Sequence, residues 1–320
     1  MKARRVLQLL TAAATVLTVW CHVNNTKRHT FGYDGEMGPS HWADEYQQCA
    51  GKFQSPIDIE EHRVTHVRLP PLRFTGFDAD PATSTLSNNG HTVMLRLNMS
   101  KMASVTGGPL RGDYSFSQLH FHWGNNDSMG SEDTINNHTF PLELHIVMYK
   151  AAYGSFDGAT AHKDGLAVLA VFYEIIETEN HVYKEIVEQL PSVTQPDTQA
   201  LLQRPIKLAS LLPETKHLYF TYNGSLTTPP CLEVVTWLEF KQPILLSHQQ
   251  VDAFRSLKSA EGPMTHNFRP VQPLSGRPVW FNVADDYTAE PRQRESSAEA
   301  PSMNYILASV LVLLITAFQW

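Results

Sequence analysis

Two short segments alternate apolar and polar residues, and both place histidine on the polar side. In SFSQLHFHWG, residues 115–124, Leu119, Phe121 and Trp123 share one parity, while Gln118, His120 and His122 share the other. In LELHIVMY, residues 142–149, Leu142, Leu144 and Ile146 alternate with Glu143, His145 and Val147. A side-chain period of two is that of a β-strand, so one face packs on a core and the other lines a cleft. If the two strands are neighbours, His120, His122 and His145 converge. Three neutral imidazoles hold Zn²⁺ and leave a fourth position open, which is how a catalytic zinc differs from a structural one. Gln118 and Glu143 stand two residues from a ligand each, where they can accept the free ring N–H.

A His-x-His strand is also ordinary polar surface in many proteins. A cupin-type metal oxygenase begins in the same way, and Asp127 is its nearest acidic ligand here. That reading leaves the other segments of the chain unexplained.

The rest of residues 30–285 carries no repeat and no long linker, which points to one domain. Turn formers recur at short intervals: Asn88-Asn89-Gly90, Gly107-Gly108-Pro109 and Gly112-Asp113. Between them, residues 92–97, 166–173, 218–222 and 234–240 read as strands. A helix is expected over 179–190. Another opens at Ser247, with Gln250 three residues on in capping-box spacing and Val251, Phe254 and Leu257 on one face. The domain is therefore mainly β (α+β), with a few short helices. Hydrophobic residues at 42% supply a large core, and a net charge of -7 without a basic patch argues against nucleic acid as a partner.

Both ends read as processing signals. Lys2, Arg4 and Arg5 precede an apolar stretch over 6–20, with Val19 and Cys21 suited to a cleavage site. Residues 1–21 read as a signal peptide, with an uncleaved anchor as the alternative. At the other end Ser296 and Ser297 precede a short polar spacer and an apolar tail of 14 residues, 305–318. No basic residue follows it. Residues 291–320 read as a spacer and GPI-attachment signal, with Ser296 or Ser297 as the attachment residue, or else as a short tail anchor. The body between them, 22–290, keeps Cys49 and Cys231. In a secreted chain that pair reads as one disulfide, with two buried thiols as the alternative. Sequons at Asn24, Asn98, Asn126 and Asn137 are glycosylation candidates. A fifth, at Asn223, lies in a stretch assigned to the site and is expected to stay bare.

Eight segments resemble the α-class carbonic anhydrases in the family's order: FQSPIDI (53–59), NNGH (88–91), QLHFHWG (118–124), GSE (130–132), LELHIV (142–147), DGLAVL (164–169), GSLTTPP (224–230) and NFRPVQPL (267–274). With the terminal signals, the resemblance is to the GPI-anchored extracellular branch. It implies a central twisted, mainly antiparallel sheet with helices on its surface, and reversible hydration of CO₂ to bicarbonate by zinc-hydroxide attack. It assigns His120, His122 and His145 as zinc ligands with Gln118 and Glu143 behind them. Thr227 is the residue that orients the nucleophile, Glu132 holds Thr227, and Thr228 lines the same site. Val147, Val168, Leu226, Val235 and Trp237 form the apolar wall for CO₂. His91 is the proton shuttle, and Tyr33, Asn89 and Tyr222 belong to its water path. Cys49 and Cys231 match the extracellular members' disulfide. The resemblance also implies inhibition by sulfonamides and a location on the outer face of the plasma membrane, held by a GPI lipid.

Two positions depart from the pattern. Phe31 replaces a common Trp near His91, and Met94 replaces a polar residue on the water path. Both bear on the rate of proton transfer more than on the reaction. The rival from another class is a domain of the same fold that has lost its metal and binds a partner. Such domains lack ligand histidines, and all three are present here.

Overall fold

Strands of β-branched and aromatic residues with strict alternation need a second surface to cover each face. In the computed structural model, which describes residues 31–283, they build one 12-stranded twisted sheet and a separate two-stranded pair. The central strands run in the order Thr83–Asn88, Val93–Asn98, Leu110–Trp123, Leu142–Lys150, Leu166–Ile176, Val235–Ser247 and Tyr219–Gly224. Neighbours are antiparallel except at Leu166–Ile176 against Val235–Ser247, and at the Trp280–Asn282 edge against Thr65–Val67. The expected mainly antiparallel sheet with short helices is thus the observed fold. Expectations that rest on residues 1–30 and 284–320 lie outside the described residues: the signal peptide, Asn24, Ser296, Ser297 and the apolar tail. No helix of the described residues is long and apolar enough to cross a membrane.

The alternation sorts the two faces. Leu119, Phe121, Leu144, Ile146, Leu169, Val171 and Leu238 are buried in the larger core on one side. Val147, Val168, Ala170, Tyr222, Val235 and Trp237 form a second cluster on the other. A β-bulge between Phe116 and Gln118 changes the parity of the long strand. It lets Phe116 share the larger core with Leu119 while Gln118 turns to the opposite face.

Three local expectations need correction. Gly112-Asp113, read as a turn, lies inside the Leu110–Trp123 strand, while the turn read at Gly107-Gly108-Pro109 is where the chain reverses. The helix expected over 179–190 starts only at Lys184 and ends at Gln189. Asn180 causes the delay: its side chain accepts from Val182 N–H, and its backbone is held on both sides by the Gln250 amide. The strand expected over 234–240 continues to Ser247. There Ser247 and Gln250 close a full capping box on the His248–Phe254 helix, as their spacing predicted. Cys49 and Cys231 form a disulfide across 182 residues, packed beside Trp42.

Candidate active site

Strand register brings the site together. Cα partners run in rows across the sheet on the face opposite the larger core. One row is Gln118, Val147, Val168, Trp237 and Tyr222. The next is Met94, His120, His145, Ala170 and Glu239. A third pairs His122 with Glu143 and Phe172. Histidines 25 residues apart in the chain, His120 and His145, are direct cross-strand partners, and His122 follows one pleat on.

The three imidazoles place one ring nitrogen each within 4.8 Å of one another. An oxygen that can only accept decides which nitrogen faces inward. His120 Nδ1 donates to Gln118 Oε1 at 2.9 Å, and His145 Nε2 donates to Glu143 Oε1 at 2.6 Å. His122 Nδ1 donates to the backbone carbonyl of Asn267 at 2.8 Å, a partner that the sequence did not indicate. The free nitrogens are then Nε2 of His120, Nε2 of His122 and Nδ1 of His145. His122 Nε2 is buried with no hydrogen-bond partner, which an ordinary core histidine would not tolerate. Burial pushes His120 and His122 well below the usual imidazole range and His145 down to about 3. Three neutral, oriented imidazoles fit Zn²⁺.

Glu143 also joins this triad to the next part of the site. Its Oε2 accepts the backbone N–H of Glu132 at 2.7 Å and of Asp133 at 3.1 Å. Gly130 permits this approach: its φ is +154°, and a Cβ there would sit 2.1 Å from the Pro141 carbonyl. Glu132 Oε1 accepts the Arg269 backbone N–H, while Oε2 lies 3.4 Å from His122 Nε2. Burial pushes the Glu132 carboxyl well above the usual carboxylate range. The Thr227 hydroxyl and the Arg269 N–H oppose that shift, and the charges of Glu143 and Asp133 add to it. The Arg269 guanidinium is itself buried and bonds Gln54, the Ser55 carbonyl and the Cys49 carbonyl, tying the disulfide to this wall.

The apolar positions gather as expected. Val147, Val168, Val235 and Trp237 are buried in one cluster, with Leu226 packed against it. The Trp237 ring centroid is 4.9 Å from that of His145. Thr227 is buried and Thr228 half-buried beside them. His91 stacks on Phe31 at 3.8 Å between centroids and 9° between planes. Asn89 Oδ1 accepts the N–H of His91 and of Thr92, so this side chain shapes the turn that carries His91. The Tyr33 hydroxyl is buried without a hydrogen-bond partner, and after burial the nearby Glu132 charge raises its pKa further.

Tyr222 is a correction. It was expected on the water path, yet it is fully buried, donates to Asp133 Oδ1 and accepts from the Ser55 hydroxyl, both at 3.0 Å. It braces the back of the site. Asn223 is the other. It pairs with Thr236, and both alternate with Tyr222 and Trp237, so its side chain points to the far face of the sheet. The reason for expecting a bare sequon there does not hold.

A group of buried acids behind the triad was not expected at all. Asp133, Glu143 and Glu239 lie within 4.8 Å of one another at their nearest oxygens. Both Glu239 oxygens are buried and lack a hydrogen-bond partner. With Glu132 these acids outnumber the buried guanidiniums of Arg269 and Arg277. Burial raises all four carboxyls, and repulsion from the neighbouring acids adds to it at Glu132, Asp133 and Glu239. Burial, then the charges of Asp133, Glu143 and Glu132, raise Glu239 well above the carboxylate range. A carboxyl raised in the folded state binds its proton more tightly there than in the unfolded chain. Its cost is therefore absent below the unfolded-state value, grows as pH rises from that value toward the folded one, and levels off above it. In chelator-stripped protein, Glu239→Gln should raise stability at pH 8, because it removes the carboxyl whose proton uptake folding favours. It should change little at pH 5. Thermal melts of both proteins at the two pH values check this, and an equal shift at both would contradict it.

Residues 37–283 match the family described as eukaryotic-type carbonic anhydrase. The chain is 42% identical over 262 residues to carbonic anhydrase 7 of Mus musculus, covering 79% of this chain and 97% of that protein. Identity to carbonic anhydrase 7 of Homo sapiens is 41%, with the same coverage. Carbonic anhydrase 15 of Mus musculus is 35% identical over 273 residues, covering 81% of this chain and 82% of that protein.

Proposed function

The chain belongs to the eukaryotic-type carbonic anhydrases, which are zinc enzymes, and from that premise we propose that it interconverts CO₂ and bicarbonate at the outer cell surface. The observation that carries the reading is the triad of His120, His122 and His145. Each ring is fixed by an oxygen acceptor, beside Glu132, Thr227 and an apolar wall.

His120, His122 and His145 would hold zinc, whose Lewis acidity would make hydroxide available near pH 7, the established pKa of the bound water in carbonic anhydrase being about 7. With zinc bound, its charge would favour the ionised form of Glu132, which can only accept, so the Thr227 hydroxyl would donate to it and be left to accept from the attacking oxygen. That holds one lone pair toward the substrate. Val147, Val168, Leu226, Val235 and Trp237 offer CO₂ an apolar seat and exclude water from it, with Thr228 at its polar margin. Gln118 and Glu143 keep the rings of His120 and His145 in the required tautomer. Sulfonamides inhibit enzymes of this family, and they are expected to bind the same pocket. The disulfide and the terminal signals support passage through the secretory pathway and a GPI lipid on Ser296 or Ser297. Phosphatidylinositol-specific phospholipase should then release active enzyme from cells.

Each hydration must export a proton. Direct transfer to water is limited to about 10³ per second, from a diffusion ceiling near 10¹⁰ M⁻¹s⁻¹ and a donor pKa of about 7. An imidazole, with an ordinary pKa near 6.5, can relay faster. His91 is assigned that role, with Tyr33 and Asn89 bordering the path. Phe31 supports one pose of its ring. The purified enzyme should hydrate CO₂ and lose the activity to a zinc chelator. His91→Ala should lower kcat in dilute buffer and spare kcat/KM, because proton export follows the chemical step, and added imidazole should restore much of the loss. An unchanged kcat would remove His91 from the relay.

A further inference from the structure

The far face of the sheet holds a cavity of about 900 Å³ that none of the three histidines lines and that reaches the proposed CO₂ wall only at Val235. Asn223 lines it, in the sequence Asn223-Gly224-Ser225. That is an N-glycosylation sequon, and the side chain is exposed. Its Oδ1 accepts from Thr236 Oγ1 at 3.2 Å, which leaves the amide nitrogen turned from that bond. The walls suit a sugar. Phe53, Trp280 and Leu69 supply apolar surface for the C–H faces of a pyranose, and Arg111, Lys163 and Glu233 supply groups for its hydroxyls. Phe53 is 40% exposed, high for an aromatic ring beside a pocket.

We propose that Asn223 carries an N-linked glycan whose first sugars lie in this cavity. The inference rests on the secretory reading above, because only that route supplies the donor. The donor is an oligosaccharide on a lipid pyrophosphate. Asn223 Nδ2 forms a bond to the anomeric carbon, the C1–O bond to phosphate breaks, the lipid pyrophosphate leaves, and the amide gives up one proton to base. Transfer occurs before folding, so Asn223 must end at a place where the folded chain can accommodate the sugar. The exposed end of the Tyr219–Gly224 strand is such a place, and it lies on the opposite side of the sheet from His120, His122 and His145.

The test is glycopeptide mass spectrometry on the full chain made in secretory cells. Asn223 should be occupied, and Asn223→Gln should lose one glycan while keeping CO₂ hydration unchanged. Under native conditions, peptide N-glycosidase should release the Asn223 glycan several-fold more slowly than glycans on the exposed Asn98, Asn126 or Asn137, and denaturation should abolish the difference. A bare Asn223 beside a glycosylated Asn98, Asn126 or Asn137 overturns the proposal alone. Equal native release overturns the seating of the sugar. A chain without glycan that stays in the cytosol overturns the secretory reading and this inference with it.

Discussion

His145→Ala should leave the purified protein with far less than one zinc per chain and almost no CO₂ hydration. The substitution removes one of three ligands, and it also strands Glu143. That carboxylate is fully buried, and its Oε1 bonds His145 Nε2 at 2.6 Å. Without the ring, Glu143 Oε1 loses its hydrogen-bond partner in the interior, and it belongs to the side chain holding the Glu132 and Asp133 backbone. Losing an outer partner of a zinc ligand costs roughly 10–100-fold in affinity or activity, and losing the ligand with its partner should exceed that. Metal analysis by mass spectrometry, with stopped-flow hydration on the same sample, gives both readouts. Full zinc content in the variant would remove His145 from the ligand set. Full activity in metal-free protein would end the zinc mechanism altogether.

Thr227→Ala should keep its zinc and lose about 10²–10³-fold in kcat/KM, the usual cost of deleting one preorganised polar group at a reacting centre. Thr227 is buried and its hydroxyl acts on Glu132, whose own position is set by Arg269 N–H at 2.8 Å and by Glu143. The variant leaves the three histidines and their acceptors intact, so metal content should not move. That separates orientation from metal binding. Thr227→Ser retains the hydroxyl and should recover most of the rate. A loss under twofold in the alanine variant would make the Thr227–Glu132 contact structural only.

The two variants probe parts of the site that were unequally visible in the chain. Gln118 and Glu143 lie two residues from the ligands they support. In a strand that spacing alone puts them on the same face, whatever the rest of the fold does. The capping box at Ser247 and Gln250 is equally local. The partner of His122 is not: the Asn267 carbonyl is 145 residues away, and the same Asn267 side chain also accepts from Trp123 N–H. Arg269 had no assigned role because its partners, Gln54, Ser55 and Cys49, come from the other end of the domain.

Periodicity by itself determined the faces of the strands, and with them that His120 and His122 share one polar face, that His145 stands on the polar face of its own strand, and that Gln118 and Glu143 stand beside the rings they support. A period of two is a property of one strand and is written in adjacent residues. Tertiary structure decided what depends on which strands become neighbours. Sheet order set Glu239 two strands from His145 with only Ala170 between, and so built a cluster of buried acids that no local pattern announces. The bulge at Phe116 reversed the parity of half a strand. The pairing of Tyr219–Gly224 with Val235–Ser247 sent Tyr222 into the core and Asn223 to the opposite surface, though they are adjacent in the chain. A residue's alternation says that its neighbour points the other way; only the assembled sheet says which way leads to the metal.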